Sequence, residues 1–178
     1  MTSDIVKKIA VTQGNFIVSR DPDILLTTVL GSCVCACVYD PKLKIGGMNH
    51  FLLPYSSIQD SSPKDRMFGV YLMELLLNEM FSYGAVKRRL EVKLFGGSHV
   101  LTSTTDPGKK NVEFIEQFVK IEKLNVVSSS LRGQRGRAIQ FSPFTGKVRQ
   151  KFMSKYIAEE QVIKQSKNYE TVGDLELF

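Results

Sequence analysis

The order of apolar and polar positions predicts short β-strands in the N-terminal part of the chain. Five runs have strand-like composition, and they read KIAVT, FIVSR, ILLTTVL, CVCACVY and IGGMNHFLL. Sequences typical of turns separate them, namely QGN, DPD, GS and DPKLK. The chain therefore begins as a series of strands rather than as helices.

Two later segments have the spacing of helices. Over residues 66–84 the apolar positions recur with helical period and place Tyr71, Leu72 and Leu76 on one face, and Gly84 suits the end of a helix. A second helix is predicted from Asn111, a good N-cap, through NVEFIEQFVKIEKLN. Further strands are predicted at LEVKLF, NVVSSSL, RAIQF and KVRQKF.

Composition adds the class of protein to this picture. A chain of 178 residues with 43% hydrophobic and 24% charged residues is long enough for one domain with its own core. The longest apolar run, VLGSCVCACVY, is far shorter than the ~20 residues that span a bilayer, and no signal-like block opens the chain. We expect a cytoplasmic protein without membrane insertion. Residues 154–178 are polar and weakly periodic, which predicts a peripheral helix and a loose tail.

The net charge of +6 indicates an anionic partner. Two groups of basic residues are candidates for its surface: Lys87, Arg88 and Arg89, and then Arg132, Arg135 and Arg137. No aromatic-rich platform and no helix-turn-helix pattern accompanies the charge, so nucleic acid is not the expected partner.

All three cysteines, Cys33, Cys35 and Cys37, fall at alternate positions of one predicted strand. Their odd number and their spacing along one strand face argue against a structural disulfide. A straight strand presents its thiols in a row, whereas zinc needs a tetrahedral set, so no metal or other cofactor is expected. For Cys35 and Cys37 we expect packing in the core, where free cysteine is common.

A hairpin count places one of these thiols next to a histidine. If residues 40–43 form the loop, Tyr39 faces Lys44, and counting outward sets Cys33 directly opposite His50. Opposed side chains on one face have Cβ atoms about 4.5 to 5.5 Å apart. A thiol beside an imidazole is the arrangement of a cysteine nucleophile with its general base.

The residues before Cys33 strengthen this interpretation. Gly31 permits a sharp bend, and the backbone N–H groups near Ser32 and Cys33 then become candidates for an oxyanion hole. The second histidine of the chain, His99, follows the glycine pair of FGGSH and is the alternative base.

The motifs TTVLGSCVCACVYD, IGGMNHFLLP, KLFGGSHV, NVEFIEQF and RGQRGRAIQFSPFTGKV, in this order, resemble those of the chemoreceptor glutamine deamidases, the CheD family of bacterial chemotaxis. The resemblance assigns residues 1–153 to the deamidase domain and residues 154–178 to an extension. It implies an α+β fold, a mixed β-sandwich with helices packed on the outside, similar to bacterial toxin domains that deamidate glutamine. It also implies an enzyme, a protein-glutamine glutaminase that hydrolyses receptor glutamines to glutamate and ammonia through a cysteine thioester.

Carried onto this chain, the family's catalytic residues fall on Cys33, His50 and Thr27. Thr28 takes the place of Thr27 if the turn at LGS is shifted by one residue, and that alternative stays open. The resemblance favours a rim of the substrate site at FGGSH and RGQRGR, with the candidates Gly96, Gly97, Ser98 and Arg135.

The implied partners are the cytoplasmic helical regions of methyl-accepting chemotaxis receptors. Some members of the family also bind the chemotaxis phosphatase CheC. The competing hypothesis is a non-catalytic adaptor that binds receptors or this phosphatase without hydrolysing anything.

Overall fold

The structure, a computed structural model, describes residues 6–53, 63–99 and 106–154 of the chain. Within them it forms two α-helices, one short 3-10 helix and nine strands. In chain order these are β1 Lys7–Ala10, β2 Asn15–Ser19, β3 Ile24–Leu30, β4 Val34–Asp40, β5 Ile45–His50, α1 Pro63–Ser82, the 3-10 helix Lys87–Arg89, β6 Glu91–Gly96, α2 Pro107–Ile121, β7 Asn125–Leu131, β8 Arg137–Phe141 and β9 Val148–Phe152.

The strands form two sheets that lie face to face. Sheet A has the order β1-β3-β8-β9, with β1 and β3 parallel and the remaining pairs antiparallel. Sheet B has the order β2-β5-β4-β6-β7, with β6 and β7 parallel across α2. Helix α1 packs on β2 and β5, and α2 packs on β4 and β7. The α+β class and the mixed sandwich are confirmed, and the described helices cover sheet B.

Alternate side chains of strand β4 pack into two separate hydrophobic cores. Its residues Val34, Ala36 and Val38 are buried against the helices, together with aliphatic residues of α1 and α2. Cys35 and Cys37 point the opposite way and are buried between the two sheets, as is Cys33 just before the strand. The cysteine pattern is therefore one face of a central strand, because successive side chains of a strand point to opposite sides.

Both helices differ from prediction near their starts. Helix α1 begins at Pro63 rather than at residue 66, and Tyr71 is 58% exposed instead of joining the buried face. Helix α2 begins at Pro107, because the carboxylate of Asp106 caps the backbone N–H of Lys109 at 3.0 Å. Asn111 is consequently not the N-cap but a buried residue inside the helix.

The predicted hairpin register is wrong by two residues. Asp40 pairs with Ile45 and Cys37 pairs with Met48, so the loop comprises residues 41–44. The reason is the side chain of Asp40, which accepts hydrogen bonds from the N–H groups of Lys42 and Leu43 and so extends the strand by one residue. An even shift keeps every side chain on its face, so Cys33 and His50 still face the same layer.

The predicted bend before the cysteine is confirmed. Strand β3 ends at Leu30 in sheet A, and β4 begins at Val34 in sheet B, so the chain crosses between the sheets at residues 31–33. No helix in the described parts of the chain is long and apolar enough to cross a membrane. The predicted tail helix lies outside the described residues, and the domain boundary at residue 153 stays a prediction.

Candidate active site

The ring of His50 is held on one side by a short hydrogen-bond chain. Its Nδ1 lies 2.8 Å from the Thr28 hydroxyl and 3.3 Å from the carbonyl oxygen of Val11. The same hydroxyl donates to the Val11 carbonyl at 2.9 Å. Because Thr28 has only one hydroxyl proton, it must accept from the ring, so Nδ1 carries the proton.

The other ring nitrogen is consequently a lone-pair acceptor. His50 Nε2 is buried and has no hydrogen-bond partner among the described residues. Burial lowers the pKa of His50 to about 4, although the bond to the Val11 carbonyl opposes this shift. At neutral pH the ring is uncharged and presents an unprotonated Nε2, which is the state that a general base requires.

Strand alternation decides between the two threonines. Thr28 lies on the inner face of β3 with the buried residues Leu26 and Leu30. Thr27 faces the other way, and its hydroxyl contacts the carbonyl oxygen of Ile9 at 3.5 Å. The contact with the histidine that was expected of Thr27 is therefore made by Thr28.

The thiol of Cys33 lies at the end of the sulfur row, where the chain enters strand β4. In the observed register Cys35 is opposite His50, so Cys33 is its diagonal neighbour, still within reach across a sheet. The Cys33 Sγ donates to Oε1 of Gln13 at 3.5 Å. Cys35 and Cys37 are buried in the core, as predicted.

The environment of Cys33 keeps the thiol protonated. Burial raises its pKa to about 12, and the hydrogen bond from its own backbone N–H only partly offsets this. Together with the lowered pKa of His50, this makes the resting pair a neutral thiol and a neutral imidazole. Charge has to develop during the reaction, so the site needs donors placed where negative charge will form.

The bend before Cys33 is fixed by three successive carbonyl groups. The oxygen of Gly31 accepts from Ser98 N–H at 2.9 Å, and that of Cys33 accepts from Gly97 N–H at 2.8 Å. Between them, the oxygen of Ser32 accepts from Asn111 Nδ2 at 2.8 Å. With all three carbonyls bonded to the protein, the orientation of the intervening peptide planes is set.

Two N–H groups of the same bend take no part in backbone pairing, and that of Cys33 is directed at its own sulfur. Within the described residues, no backbone carbonyl accepts from the N–H of Ser32 or Cys33. These two groups adjoin the thiol, so they are the backbone donors that an oxyanion at this site would meet.

The glycine pair and Ser98 are placed behind the bend rather than at a substrate rim. All three residues are buried, and a Cβ on Gly96, which has a φ of +113°, would lie 2.1 Å from the Cys33 carbonyl oxygen. Ser98 Oγ donates to the carbonyl of Arg135 at 2.6 Å and accepts from the buried Arg137 at 3.0 Å. Their role here is close packing, which corrects the rim that was expected for Gly96, Gly97 and Ser98.

Arg135 and His99 lie at the surface. Arg135 donates from Nε to the carbonyl oxygen of Met153 at 3.2 Å and stacks on Phe152. His99 is 3.4 Å from a carboxylate oxygen of Asp106, with 44% of its side chain exposed. Neither side chain contacts the thiol or the ring of His50 in the described structure.

Most residues of the two predicted basic clusters are engaged within the protein. Arg89 forms a bidentate pair with Asp40. Two further ion pairs join Lys87 to Glu122 and Arg132 to Glu116, each at 2.7 Å. Because Arg137 is buried as well, these clusters offer less free positive charge than their sequences indicated.

A cavity of about 510 Å³ opens beside the histidine. It is lined by residues 10–13 at the end of β1, residues 27–29 of β3, residues 138–140 of β8 and His50 itself. Gln13, which contacts the thiol, forms part of this wall. The cavity therefore gives a small polar group access to His50 and to Gln13, the side chain that contacts the thiol.

Sequence reasoning missed two residues of this site. Asn111 connects the bend to the chain after β5, because its Nδ2 donates to the Ser32 carbonyl and its Oδ1 accepts from the Leu53 N–H at 2.9 Å. Gln13 comes from a turn that carried no catalytic motif. A buried amide inside an otherwise apolar helix face was the one signal that pointed to Asn111. The described residues contain no group of three or more His, Cys, Asp or Glu side chains arranged to hold a metal.

Comparisons with known proteins identify the family of the chain. A family model described as CheD chemotactic sensory transduction matches residues 52–152, more than half of the chain. A crystal structure of the hypothetical protein YfiH from Bacillus licheniformis shows a weak likeness, with a TM-score of 0.37 and 15% identity over 57% of this chain and 33% of that one. A likeness at this level supports no conclusion.

Three curated relatives are each named probable chemoreceptor glutamine deamidase CheD. The protein of Acidiphilium cryptum is 43% identical over 85% of this chain and 80% of its own length. Those of Caulobacter sp. (strain K31) and Agrobacterium fabrum are 42% and 45% identical, over 96% and 84% of this chain and 93% and 82% of theirs. With this identity over most of its length, the chain belongs to the chemoreceptor glutamine deamidase (CheD) family of bacterial chemotaxis.

Proposed function

We propose that the chain hydrolyses the side-chain amide of glutamines in chemotaxis receptors, releasing ammonia and leaving glutamate. It is a protein-glutamine amidohydrolase with Cys33 as nucleophile and His50 as general base. The observation that carries this assignment is the buried, unpartnered Nε2 of His50, fixed by Thr28 on the face that also holds the thiol.

In the first half of the reaction the Cys33 sulfur attacks the glutamine Cδ. The S–C bond forms, the thiol proton passes to His50 Nε2, and the C=O electron pair moves onto the oxygen, where the N–H groups of Ser32 and Cys33 stabilise it. When the C=O bond re-forms, the C–N bond breaks. The proton on Nε2 leaves with the amine as ammonia, and a thioester remains.

In the second half water replaces the sulfur. Neutral His50 takes a proton from water as its oxygen bonds to Cδ, and the C–S bond then breaks. The proton returns to the sulfur, which regenerates the thiol, and the new carboxyl group releases the second water proton to solvent and becomes glutamate. Throughout, the Thr28 hydroxyl keeps the ring in the tautomer that exposes Nε2.

The outer face of sheet A is the surface over which we propose that receptors approach. Its strands contain basic residues and no Asp or Glu. One cross-strand row runs from Ala10 through Thr27 and Gln140 to Arg149, so the cavity wall continues into an exposed arginine. In the described part of the chain, no ion pair occupies Lys8, Arg149 or Lys151.

A basic sheet face that neither described helix covers suits an acidic receptor segment, because opposite charge speeds encounter. We place this encounter in the cytoplasm, with the helical region of the receptor as substrate. Binding of the phosphatase CheC stays a prediction from the resemblance. No contact described above favours a non-catalytic adaptor.

Mass spectrometry of receptor peptides tests the activity directly. Purified receptor is incubated with the wild-type chain, with Cys33→Ala and with Cys35→Ala as a matched thiol control. We expect a gain of about 1 Da per converted glutamine with the wild type and with Cys35→Ala, and none with Cys33→Ala. Receptor that gains no mass with the wild-type chain refutes the deamidase assignment.

A further inference from the structure

Among the residues that the structure describes, Gln13 is a side chain outside the expected set that contacts the nucleophile. Its Oε1 accepts from Cys33 Sγ at 3.5 Å, and the residue lines the cavity together with His50. Its position is set by the turn between β1 and β2. Gly14 N–H donates to the His50 carbonyl at 2.8 Å, and Val11 N–H donates to the Thr27 carbonyl at 2.8 Å. The turn that carries Gln13 is therefore fixed to the strands of His50 and Thr27.

A carboxamide at this position can serve two successive partners. Its oxygen accepts from a protonated thiol, as in the resting structure, and its NH2 group donates to a negative atom once the terminal torsion turns by about 180°. The reaction produces that sequence of partners. The sulfur loses its proton to Nε2, and negative charge then collects on the oxygen of the substrate.

The backbone donors named above for this charge all belong to the bend at residues 31–33. The backbone N–H groups of Ser32 and Cys33 approach from the side of the bend, whereas the turn of residues 11–14 lies on the side of the cavity. A neutral resting pair supplies no positive charge to the oxygen until the proton has reached Nε2. A side-chain donor from the cavity side therefore has a charge to stabilise.

We propose that Gln13 is a catalytic residue whose side-chain NH2 group, together with the backbone donors of residues 32 and 33, forms the oxyanion hole. The inference rests on the proposed deamidation. It assigns Gln13 to the transition state rather than to the binding of the receptor as a whole.

The test uses Gln13→Met, which keeps the length of the side chain and removes the donor, and Gln13→Glu, which leaves only acceptors. Gln117→Ala, on the exposed face of α2, is the matched glutamine control. Deamidation of receptor glutamines gives kcat and KM. Alkylation of Cys33 by iodoacetamide, followed on its peptide, measures the thiol alone, because alkylation forms an S–C bond without an oxyanion.

We expect kcat of Gln13→Met to fall roughly 100- to 1,000-fold, the usual loss of one oxyanion donor, with KM within about 3-fold. Gln13→Glu should lose at least as much, and Gln117→Ala should match the wild type. The alkylation rate of Gln13→Met should stay within about 3-fold of the wild type, since alkylation forms no oxyanion for Gln13 to stabilise.

Three results overturn the inference. One is a fully active Gln13→Met, the second is an effect confined to KM, and the third is an equal fall of alkylation and kcat, which shows an action on the thiol. Since either variant can fail to fold, thermal unfolding is measured on both, and the comparison is made on the one that is folded. A wild type that produces no mass gain refutes the deamidase assignment and this inference together, whereas an active wild type isolates the role of Gln13.

Discussion

The two sides of strand β4 carry different chemistry although they share one backbone. The helix side, with Val34, Ala36 and Val38, is an aliphatic core in which size and shape matter. The side toward sheet A holds thiols, and the same layer reaches Thr28, His50 and the cavity at one end. The difference shows that a row of like residues need not share a role. Among the three thiols, only Cys33 has a described contact with Gln13, a residue that lines the cavity.

The largest expected effect separates the thiols within that layer. Cys33→Ala should lower kcat at least about 1,000-fold, as removal of a nucleophile does. Cys35→Ala should stay within about 3-fold in kcat and lose roughly 1–2 kcal/mol of unfolding free energy through the small cavity it leaves. Ammonia release and urea unfolding measure the two quantities. Cys35 lies opposite His50 in the strand register. A folded but inactive Cys35→Ala would therefore indicate that Cys35, rather than Cys33, is the nucleophile.

A second prediction concerns the cost of burying His50. Its native pKa of about 4 lies below the ordinary 6.5, so between these values the unfolded chain takes up a proton that the native state does not. Stability from this group is present above pH 6.5 and is lost as the pH falls toward 4, by roughly 3 kcal/mol in total. His50→Gln lacks this component. Urea unfolding of both proteins is measured from pH 4 to 7. The difference between their free energies of unfolding should change by that amount over this range, and a difference that stays constant with pH would contradict the prediction.

The third prediction compares neighbours on opposite faces of strand β3. Thr28→Val removes the oxygen that accepts from Nδ1, so kcat should fall roughly 10- to 100-fold, less than the about 10,000-fold loss of a charged orienting partner. Thr27→Val has the same change in composition, and its kcat should stay within about 3-fold of the wild type. Kinetics on one receptor substrate decide between them, and a larger loss in Thr27→Val would restore the original expectation.

The smallest effect tests the two outer surfaces of the molecule. Arg149→Glu on sheet A should lower kcat/KM for whole receptor roughly 3- to 10-fold at low salt, with the loss shrinking as salt screens the charge. Lys120→Glu on α2 changes the net charge equally on the helix side and should have little effect. Equal losses from both variants would show that net charge alone matters.

Much of this arrangement follows from local sequence signals. The alternation of CVCACVY predicts a strand with one sulfur face, and Gly31 predicts the bend that joins the two sheets. The hairpin count also placed Cys33 and His50 on one face. Its register was wrong by two residues, and an error of two residues leaves each side chain on the same face of the sheet.

Other parts of the site depend on contacts between distant segments. Whether Thr27 or Thr28 faces the ring is set by the position of β3 in sheet A, and either threonine fits the pattern ILLTTVL. Asn111 resembles a helix cap until the Asp106 cap and the carbonyl of Ser32 are seen. The register was decided by the carboxylate of Asp40, whose bonds within the loop a count of residues does not contain.

The clamped bend at residues 31–33 also fixes how this site can open. Two of its carbonyls are bonded to Gly97 and Ser98 in the loop after strand β6, and the third to Asn111 of helix α2, so none can be released alone. The N–H groups of Gly97 and Ser98 should therefore exchange with deuterated solvent only through global unfolding, among the slowest in the protein. Because the nucleophile is held rigidly, the substrate glutamine has to adjust its position to reach the thiol.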